Sequence, residues 1–316
     1  MTSILPTTAP VPLPVPPLAQ AAPLVEIHNL VCQAQAKAGM LTLLDVPHLR
    51  VQAGERIAVV GHNGAGKSTL LRALSGFAAV SRGDVRVLGR QLGRANAAQP
   101  DGGVASAGQA LTRSSLRQMR AEIGQVMQGL HLVQRVSAID NVLMGLLGQR
   151  RGLAHVVRTW SRVHAPVDVV RAEAALSEVG LLAKADTRVD KLSGGERQKV
   201  VIARMLMQSP KLILADEPTA SLDPLAASEI CSVLVRAAKG ATLITVCHNP
   251  SLLPLLADRV LGLQGGKLRF DLPIADLSDA RLAQLYRVPL ADGASRSEVP
   301  WAVSVDDDAV TKTHAP

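Results

Sequence analysis

The chain has 316 residues, of which 47% are apolar, so it can bury a sizeable core and is neither a peptide nor a fibre. Its formal net charge of +8 favours anionic partners: a nucleotide, a nucleic acid or a negative membrane surface. The three cysteines form no C-x-x-C pair, which argues against a disulfide framework or a zinc site. Aromatic residues make up only 2%, too few for base-stacking platforms, so we expect no nucleic-acid partner.

The two ends of the chain differ from its middle. Residues 1–23 are uncharged and contain a proline every few positions, so we expect a disordered, proline-rich tail. The polar residues 288–316 are expected to form a second disordered tail. Residues 24–287 are then left as one folded domain. Apolar runs are short or broken by proline, so the sequence predicts no membrane span.

Strand-like and helix-like patterns alternate across this domain. Strands are predicted at LVEIHNL, RIAVV and GDVRVLG, with a helix at KSTLLRALSG. Residues 91–112 are rich in Gly, Ala and Gln and are expected to be a flexible, exposed insertion. The pattern is helical from 114 to 208. Beyond it, the apolar runs KLILAD, ATLITVC and RVLGL predict buried parallel strands.

The segment GHNGAGKST, residues 61–69, directly follows the predicted strand RIAVV and opens a predicted helix. Its pattern, G-x-x-x-x-G-K-[ST], turns backbone N–H groups toward a phosphate at a helix N-terminus. Lys67 would reach the β and γ phosphates, and the hydroxyl of Ser68 would bind Mg²⁺. A plain glycine turn is the alternative, but the strand–loop–helix context favours phosphate binding. The predicted nucleotide-binding residues are Gly61, His62, Asn63, Gly64, Ala65, Gly66, Lys67, Ser68 and Thr69.

Two carboxylates, Asp216 and Glu217, end the apolar strand in LILADEP. In a parallel α/β sheet the carboxyl edge of the strands is where ligands bind. Asp216 would hold Mg²⁺, directly or through water, and Glu217 would polarise an attacking water. Caps of the next helix are the alternative for a random Asp-Glu pair. Together with the glycine loop, however, the pair predicts an enzyme that hydrolyses a nucleotide.

The segment LSGGE, residues 192–196, has two interpretations. Ser193 and Glu196 have the spacing of a capping box that opens an amphipathic helix. Gly194 and Gly195 leave the N–H groups of that helix end bare, which suits a phosphate brought close to the backbone. A second phosphate site in one chain needs an explanation.

The ordered set of motifs supplies that explanation. GHNGAGKST, LSGGE, LILADE, SLD at 221–223 and a histidine after ATLITVC together resemble the ATP-binding subunit of ABC transporters over residues 24–287. The resemblance implies an α/β fold, a P-loop NTPase of ABC type. It has a parallel-sheet core, an N-terminal antiparallel β subdomain and an inserted helical subdomain at about 129–208. It also implies ATP and Mg²⁺ as cofactors, held between two copies packed head to tail.

The resemblance assigns roles to further residues. Gln128 resembles the residue that contacts Mg²⁺ and the membrane partner, which adds it to Ser68 and Asp216 as a metal ligand. Asp223 resembles the carboxylate of the SLD loop. His248 resembles the switch histidine at the γ-phosphate and acts with Lys67 and Glu217 in catalysis. The LSGGE residues would bind the ATP held by the other copy.

One position departs from the family. An aromatic residue upstream of the glycine loop usually stacks on adenine, but Ala34 falls at that place. We therefore expect adenine to be held loosely, with ATP only weakly favoured over GTP.

Other segments are similar to phosphonate-importer ATP-binding subunits, in particular residues 123–148, 150–164 and 257–287. This similarity implies a peripheral protein at the cytoplasmic face of the inner membrane. Its partners would be a membrane permease and, indirectly, a solute-binding protein. The basic stretch 150–164 is either a solvated helix face or a surface that docks on the permease or lipid headgroups.

Two alternatives stay open. The first is an ATPase for another solute or for export. The second is a soluble, nucleic-acid-associated ABC ATPase, which a single motif set without sustained heptads disfavours.

Overall fold

The computed structural model describes residues 22–36, 39–94, 112–127, 129–148 and 164–286. Within these ranges ten strands form one mixed sheet, in the order β5-β4-β1-β2-β10-β9-β3-β8-β7-β6. The strands are β1 Val25–Ala36, β2 Gly39–Val51, β3 Arg56–Val60, β4 Arg82–Val87, β5 Arg90–Arg94, β6 Ile123–Val126, β7 Leu212–Asp216, β8 Thr242–Val246, β9 Arg259–Gln264 and β10 Lys267–Pro273.

Helices flank the sheet on both faces. The α-helices are α1 Lys67–Leu74, α2 Arg113–Ala121, α3 Ala138–Leu143, α4 Pro166–Glu178, α5 Gly194–Leu206, α6 Pro224–Ala237, α7 Leu253–Leu256 and α8 Asp279–Tyr286. Short 3-10 helices occur at Met144–Gly148, Leu182–Lys184, Val189–Lys191, Pro250–Leu252 and Ile274–Asp276. No helix in the described ranges is long and apolar enough to cross a membrane.

One half of the sheet is parallel and buried. β9, β3, β8, β7 and β6 all run in the same direction, and every residue of β7 and β8 is buried. Apolar side chains on both faces allow such strands to lie between two layers of helices. The carboxyl ends of β3, β7 and β8 therefore meet at one edge, where the predicted catalytic motifs begin.

The other half is antiparallel. β1 pairs with β2 from Val25↔Val51 to Ala36↔Gly39, and β4 and β5 extend the sheet beyond β1. β10 forms a hairpin with β9 and joins this half to the parallel half. The antiparallel strands bury one face and expose charged residues on the other, as their alternating sequence predicts.

The sheet separates two hydrophobic cores. Ile57 and Val59 of β3 contribute to the core that contains α1 and the antiparallel strands. Ala58 and Val60 contribute to the core formed with the helices between α3 and α8. Successive residues of a strand point to opposite faces, so one buried strand anchors both helix layers. Because β3 is anchored in both cores, the loop that follows it begins between the two helix layers.

The sequence-based prediction of a helical pattern from 114 to 208 was wrong at one place. Residues Ile123–Val126 form β6, which pairs in parallel with β7 at the edge of the sheet. A four-residue strand buried on both faces shows no periodicity that separates it from helix. α5 crosses so closely that a Cβ atom at Gly124 would lie 2.6 Å from the Met205 side chain.

The prediction of a flexible insertion at 91–112 was also wrong at its start. Residues 91–94 belong to β5, because Leu92 packs against the core beneath the antiparallel strands. At the other end, the hydroxyl of Thr112 caps α2 by accepting the N–H of Ser115 at 3.2 Å. Residues 95–111 lie outside the described residues. So do most of the two predicted tails, Gln128 and nearly all of the basic stretch 150–164.

Candidate functional site

The phosphate loop, residues 61–69, connects the end of β3 to the start of α1. Gly61, Gly64 and Gly66 have φ angles of 149°, 78° and 99°, a region that residues with side chains rarely adopt. A Cβ atom at Gly61 would lie 2.1 Å from the carbonyl oxygen of Leu263. The glycines therefore satisfy both the backbone conformation and the close approach of neighbouring chain.

Lys67 begins α1, and its ammonium lies inside the phosphate loop. Nζ donates to the carbonyl oxygens of Gly61 at 2.7 Å and His62 at 2.9 Å. Burial lowers the pKa of Lys67, while the nearby carboxylates of Glu217 and Asp216 raise it. A partly desolvated cation at a helix N-terminus attracts an anion strongly, as the phosphate-binding prediction requires.

Asp216 ends β7 opposite the start of α1 and is 5% exposed. Burial raises the pKa of Asp216, and a hydrogen bond from the Ser68 hydroxyl lowers it. Its Oδ1 atom has no hydrogen-bond partner among the described residues. A buried carboxylate oxygen beside a hydroxyl is the donor set that Mg²⁺ takes from a protein when phosphates complete its shell. These residues therefore fit Mg²⁺ bound together with a nucleotide.

The described residues contain no group of three or more His, Cys, Asp or Glu side chains that could hold a metal ion alone. An ion at Asp216 would thus depend on the phosphate oxygens of the nucleotide, which is how Mg²⁺ binds in phosphoryl-transfer sites.

Glu217 and His248 meet at the same edge. Glu217 Oε1 and His248 Nε2 are 2.5 Å apart and form a hydrogen bond. Glu217 has φ 51°, a left-handed conformation that costs about 1–2 kcal/mol in a residue with a side chain. Because β7 and β8 are parallel neighbours, the residues that follow them are brought together from 31 positions apart. The arrangement holds a carboxylate where it can accept a proton from water.

A cavity of about 730 Å³ opens over the phosphate loop. Its wall contains loop residues and Glu217, and also residues that the sequence analysis did not assign to the site. These are Leu41, Thr42 and Leu43 of β2 and Gly265 and Gly266 of the β9–β10 turn. The Gly-Gly pair between two apolar runs signals a hairpin turn in the sequence. No local sequence pattern, however, indicates that this turn lies beside residues 61–69 in the fold.

Ala34 lies in β1 opposite Leu41 in the β1–β2 ladder. The Leu41 side chain is 55% exposed and lines the cavity, so an aliphatic residue faces the space beside the phosphate loop. The prediction that adenine is held loosely remains a prediction.

The LSGGE segment forms a second, separate helix N-terminus. Ser193 Oγ accepts the N–H of Glu196 at 3.2 Å, and Glu196 Oε2 accepts the N–H of Ser193 at 3.0 Å. The capping box predicted at this position is therefore present at the start of α5. Lys184 adds a salt bridge to Glu196 and is the first cause of the lowered pKa of that carboxyl.

The SLD loop packs beside these glycines. A Cβ atom at Gly194 would lie 3.3 Å from Leu222, and one at Gly195 would lie 3.8 Å from Ala226. Asp223 caps α6, because its Oδ1 accepts the N–H groups of Leu225 at 3.1 Å and Ala226 at 3.0 Å. The cap explains Asp223 locally, and its predicted part in nucleotide binding stays a prediction.

The predicted residues thus divide into two groups in one copy of the chain. The phosphate loop, Asp216, Glu217 and His248 converge at the carboxyl edge of the parallel strands. Ser193–Glu196 and Asp223 line another cavity, of about 370 Å³, which shares no lining residue with the first in the described part of the chain. Gln128 lies outside the described residues.

Arg204 of α5 was missed by the sequence analysis. Its guanidinium donates to the carbonyl oxygens of Leu130 at 3.0 Å and His131 at 2.8 Å, just after Gln128. Leu130 and His131 both have positive φ, 49° and 46°. Arg204 therefore holds a strained turn next to the predicted metal-contacting glutamine, and a lone arginine on a helix gives no sequence signal of this contact.

Comparison with known proteins decides which family has this arrangement. The family model described as "ABC transporter" matches residues 44–220. The chain belongs to the ABC transporter family. The fold class and the ATPase predicted from the sequence are thereby confirmed. The roles of single residues rest on the geometry above and on resemblance.

Three curated relatives have similar sequences. The phosphonates import ATP-binding protein PhnC of Anaeromyxobacter dehalogenans is 45% identical over 75% of this chain, which spans 44% of that relative's length. A second such protein, from Rhodopseudomonas palustris, is 34% identical over 90% of this chain and 91% of the relative. The hypophosphite import ATP-binding protein HtxD of Stutzerimonas stutzeri is 36% identical over 79% and 68%.

Solved structures agree with the fold. A dimeric ATP-binding cassette in a post-hydrolysis state, bound to ADP and Pi, has a TM-score of 0.63 and 25% identity, covering 79% of this chain and 98% of its own. A nucleotide-free cassette from an ABC transporter has a TM-score of 0.66 at 22% identity, covering 84% and 99%.

Proposed function

We propose that the chain is the ATP-hydrolysing subunit of an ABC importer for phosphonate or a related phosphorus oxyanion, acting on a separate membrane permease. The observation that carries the ATPase is the convergence of Lys67, Asp216 with Ser68, and the Glu217–His248 pair at one sheet edge. The importer and its solute rest on relatives whose names specify phosphonate or hypophosphite import.

Each side chain has a distinct task in hydrolysis. The phosphate loop and Lys67 bind and orient the phosphates, and Asp216 with Ser68 would hold Mg²⁺. The charge of the phosphate oxygens would be neutralised in part by that ion. Glu217 accepts a proton from the attacking water, and His248 orients the Glu217 carboxylate through their hydrogen bond.

The helix N-terminus formed by the LSGGE segment supports action as a dimer. Gly194 and Gly195 at the start of α5 line a cavity that shares no lining residue with the cavity over the chain's own phosphate loop, among the residues described. A second copy packed head to tail would bring its LSGGE segment onto the first copy's nucleotide, and the solved cassette similar to this chain is dimeric. ATP would close the dimer and drive the permease, and hydrolysis would reset it.

The partners and location follow from the same proposal. The subunit is peripheral, at the cytoplasmic face of the inner membrane, with a permease as its direct partner and a solute-binding protein as an indirect one. Gln128 would contact Mg²⁺ and the permease. An exporter, or an importer of another solute, remains the alternative.

The first test is purification of the Glu217→Gln variant from detergent-solubilised membranes in the presence of MgATP, followed by mass spectrometry of co-purifying proteins. We expect a polytopic permease, retained because hydrolysis is blocked. Wild-type chain purified with MgADP is the matched control. Recovery of ribosomes or nucleic acid without a permease would contradict the transporter and favour the soluble ABC ATPase.

The solute needs a second test. Deletion of the gene should abolish growth on a phosphonate as the sole phosphorus source while leaving growth on inorganic phosphate unchanged. Restoration by wild-type chain but not by Glu217→Gln ties growth to ATP hydrolysis. Parallel cultures on hypophosphite distinguish the two named solutes, and growth of the deletion strain on both would refute a phosphorus oxyanion.

A further inference from the structure

A further cavity, which we call the arginine cavity, lies between the β9–β10 hairpin and α8 and has a volume of about 610 Å³. Among the residues that the structure describes, it is lined by Gln264, Arg269, Phe270, Arg281, Gln284 and Leu285. None of these residues lines the cavity over the phosphate loop. None was given a role in nucleotide binding or catalysis by the sequence analysis, so the arginine cavity is separate from the proposed ATP site.

The wall that β10 contributes contains a β-bulge. The ladder with β9 passes from Leu268 directly to Phe270, so Arg269 is an extra residue without a partner in β9. Neighbouring residues of a strand ordinarily point to opposite faces, but a bulge re-aims a side chain. Arg269 and Phe270 accordingly line the same cavity, although they are consecutive in the chain.

The walls of the arginine cavity are held by close packing. A Cβ atom at Gly262 would overlap the Phe270 ring, so only a glycine leaves room for the ring at this place. The Gln264 side chain donates to the carbonyl oxygen of Leu285 at 3.2 Å and thereby joins the hairpin to α8. Walls that are fixed before a ligand arrives reduce the conformational entropy lost on binding.

The charge of the arginine cavity is positive. Arg269 and Arg281 are exposed, and neither side chain forms an ion pair or hydrogen bond within the described part of the chain. On β9, by contrast, Arg259 pairs with both Asp271 and Glu55. No Asp or Glu is among the described residues that line the cavity. Two guanidinium groups therefore face a concave surface that offers them no carboxylate.

This arrangement suits a phosphate or phosphonate group. The planar fork of a guanidinium donates two parallel hydrogen bonds to such a group, and these charge-assisted bonds are stronger than neutral ones. The Gln284 amide can donate a further N–H. The ring of Phe270 offers apolar surface to a carbon substituent of the ligand.

The β9–β10 turn connects the arginine cavity with the cavity over the phosphate loop. Gln264 lines the first cavity, and the next two residues, Gly265 and Gly266, line the second. The N–H of Gly266 donates to the carbonyl oxygen of Ala65, in the phosphate loop, at 3.1 Å. A ligand that shifts the hairpin therefore acts on the phosphate loop through a direct hydrogen bond.

We propose that the arginine cavity binds a phosphate or phosphonate group and that its occupancy changes nucleotide affinity through the β9–β10 turn. The binding site is independent of the proposed function, whereas the effect on nucleotide affinity rests on the ATP binding of that proposal. Two solvated surface arginines without a ligand are the competing explanation.

Calorimetric titration tests the binding site. Inorganic phosphate and methylphosphonate are titrated separately into chain whose phosphate loop is saturated with a non-hydrolysable ATP analogue and Mg²⁺. We expect binding by the wild-type chain, and a Kd at least about tenfold higher in the double variant Arg269→Gln with Arg281→Gln, because the charge-assisted hydrogen bonds are lost.

A double variant with the same change of charge is the control. Arg236→Gln with Lys239→Gln alters two exposed residues at the end of α6 and should bind both ligands as the wild-type chain does. Equal weakening in the two double variants would show attraction by net charge alone and would overturn the site. Absence of binding by the wild-type chain at millimolar ligand concentration would overturn it as well.

A parallel measurement identifies the source of the ligand. A lipid headgroup carries the same phosphate chemistry, so cosedimentation with phosphatidylglycerol vesicles is measured for the same variants. Loss of vesicle binding on substitution of Arg269 and Arg281 would assign the cavity to a headgroup. Loss of binding of the soluble ligands alone would assign it to free phosphate or phosphonate.

The effect on nucleotide affinity has its own test. We expect saturating methylphosphonate to change the Kd of a fluorescent ATP analogue in the wild-type chain by a factor different from that in Arg269→Gln with Arg281→Gln. Direct competition at the phosphate loop is the same in both chains, so the difference reports the arginine cavity. Equal factors would overturn the coupling. Wild-type chain that binds no MgATP would instead overturn the proposed ATPase and leave the calorimetric result standing.

Discussion

The phosphate loop and the LSGGE segment each present the N-terminus of a helix, yet their polar groups are in opposite states. At the phosphate loop, Lys67 is a buried cation, and Asp216 Oδ1 has no partner among the described residues. At the LSGGE segment, Ser193 and Glu196 cap each other, and Lys184 neutralises Glu196. The first site keeps a carboxylate oxygen without a hydrogen-bond partner beside a buried cation, whereas the Ser193 and Glu196 side chains of the second site are already paired.

This difference indicates a division of labour. In the proposed function, the phosphate loop and its neighbours would supply the charged groups that bind phosphate and metal and that move a proton. The LSGGE segment would supply backbone N–H groups and a helix dipole, which stabilise negative charge without being titrated. On this proposal, one copy of the chain contains both halves of a site, in two cavities that share no lining residue in the described part of the chain.

The Glu217→Gln variant tests the charged groups around the phosphate loop and has the largest expected effect. Removal of the proton acceptor should lower kcat for ATP hydrolysis at least about a hundredfold, while the Kd for MgATP stays within about twofold. Phosphate release and equilibrium binding measure the two quantities. Glu178→Gln, at an exposed position of α4, is the control. Unimpaired hydrolysis would remove Glu217 from its proposed role.

The Gly195→Asp variant tests the backbone N–H groups of the LSGGE segment. A carboxylate in the first turn of α5 is compatible with the helix dipole, so thermal stability should be unchanged. It would repel the phosphate of the facing copy and reduce hydrolysis about a hundredfold. Hydrolysis at the wild-type rate would show that the LSGGE segment does not face a nucleotide.

Mixing Gly195→Asp with Lys67→Ala chains sharpens the comparison. Each variant alone has no intact site, but a mixed head-to-tail dimer has one site with both an unaltered phosphate loop and an unaltered LSGGE segment. Hydrolysis should therefore reappear in the mixture. Its absence, with mixed dimers verified by two affinity tags, would contradict a site shared between copies.

A smaller effect, on nucleotide affinity, is expected at Leu41, which lines the cavity over the phosphate loop. We expect GTP to compete almost equally with a fluorescent ATP analogue, because no aromatic residue occupies position 34. Leu41→Tyr should tighten nucleotide binding about tenfold by adding a ring that stacks on the base. A strong preference of the wild-type chain for ATP would contradict loose adenine binding.

The smallest expected effect is that of Glu196→Gln on the stability contributed by the capped N-terminus of α5. The pKa of Glu196 is lowered in the folded chain by Lys184 and by the Ser193 N–H, so its contribution is complete above the unfolded value near 4.5. The contribution is lost as pH falls through the lower folded value. Glu196→Gln should flatten the acid limb of urea-denaturation stability between about pH 5 and 3, by at most about 1 kcal/mol because solvent screens the pair.

Local patterns predicted the phosphate loop and the order of the motifs. GHNGAGKST between a strand and a helix needs only its own glycines and Lys67, and Ser193 with Glu196 forms the expected capping box. The four-residue β6 and the start of β5 were missed, because such short strands are defined by their partners in the sheet. The contacts of Arg204 with Leu130 and His131 join positions more than 70 residues apart, and no periodicity encodes them.

The sequence by itself determined the family, the α/β class and the residue types that can bind a phosphate, because these depend on short motifs with fixed spacing. Only the tertiary structure decided which side chains meet. The hydrogen bond of Glu217 to His248 follows from parallel strand order, and the contacts of Arg204 with Leu130 and His131 follow from the packing of α5 against β6. Both depend on non-local contacts, which form only when the whole sheet and its two helix layers assemble.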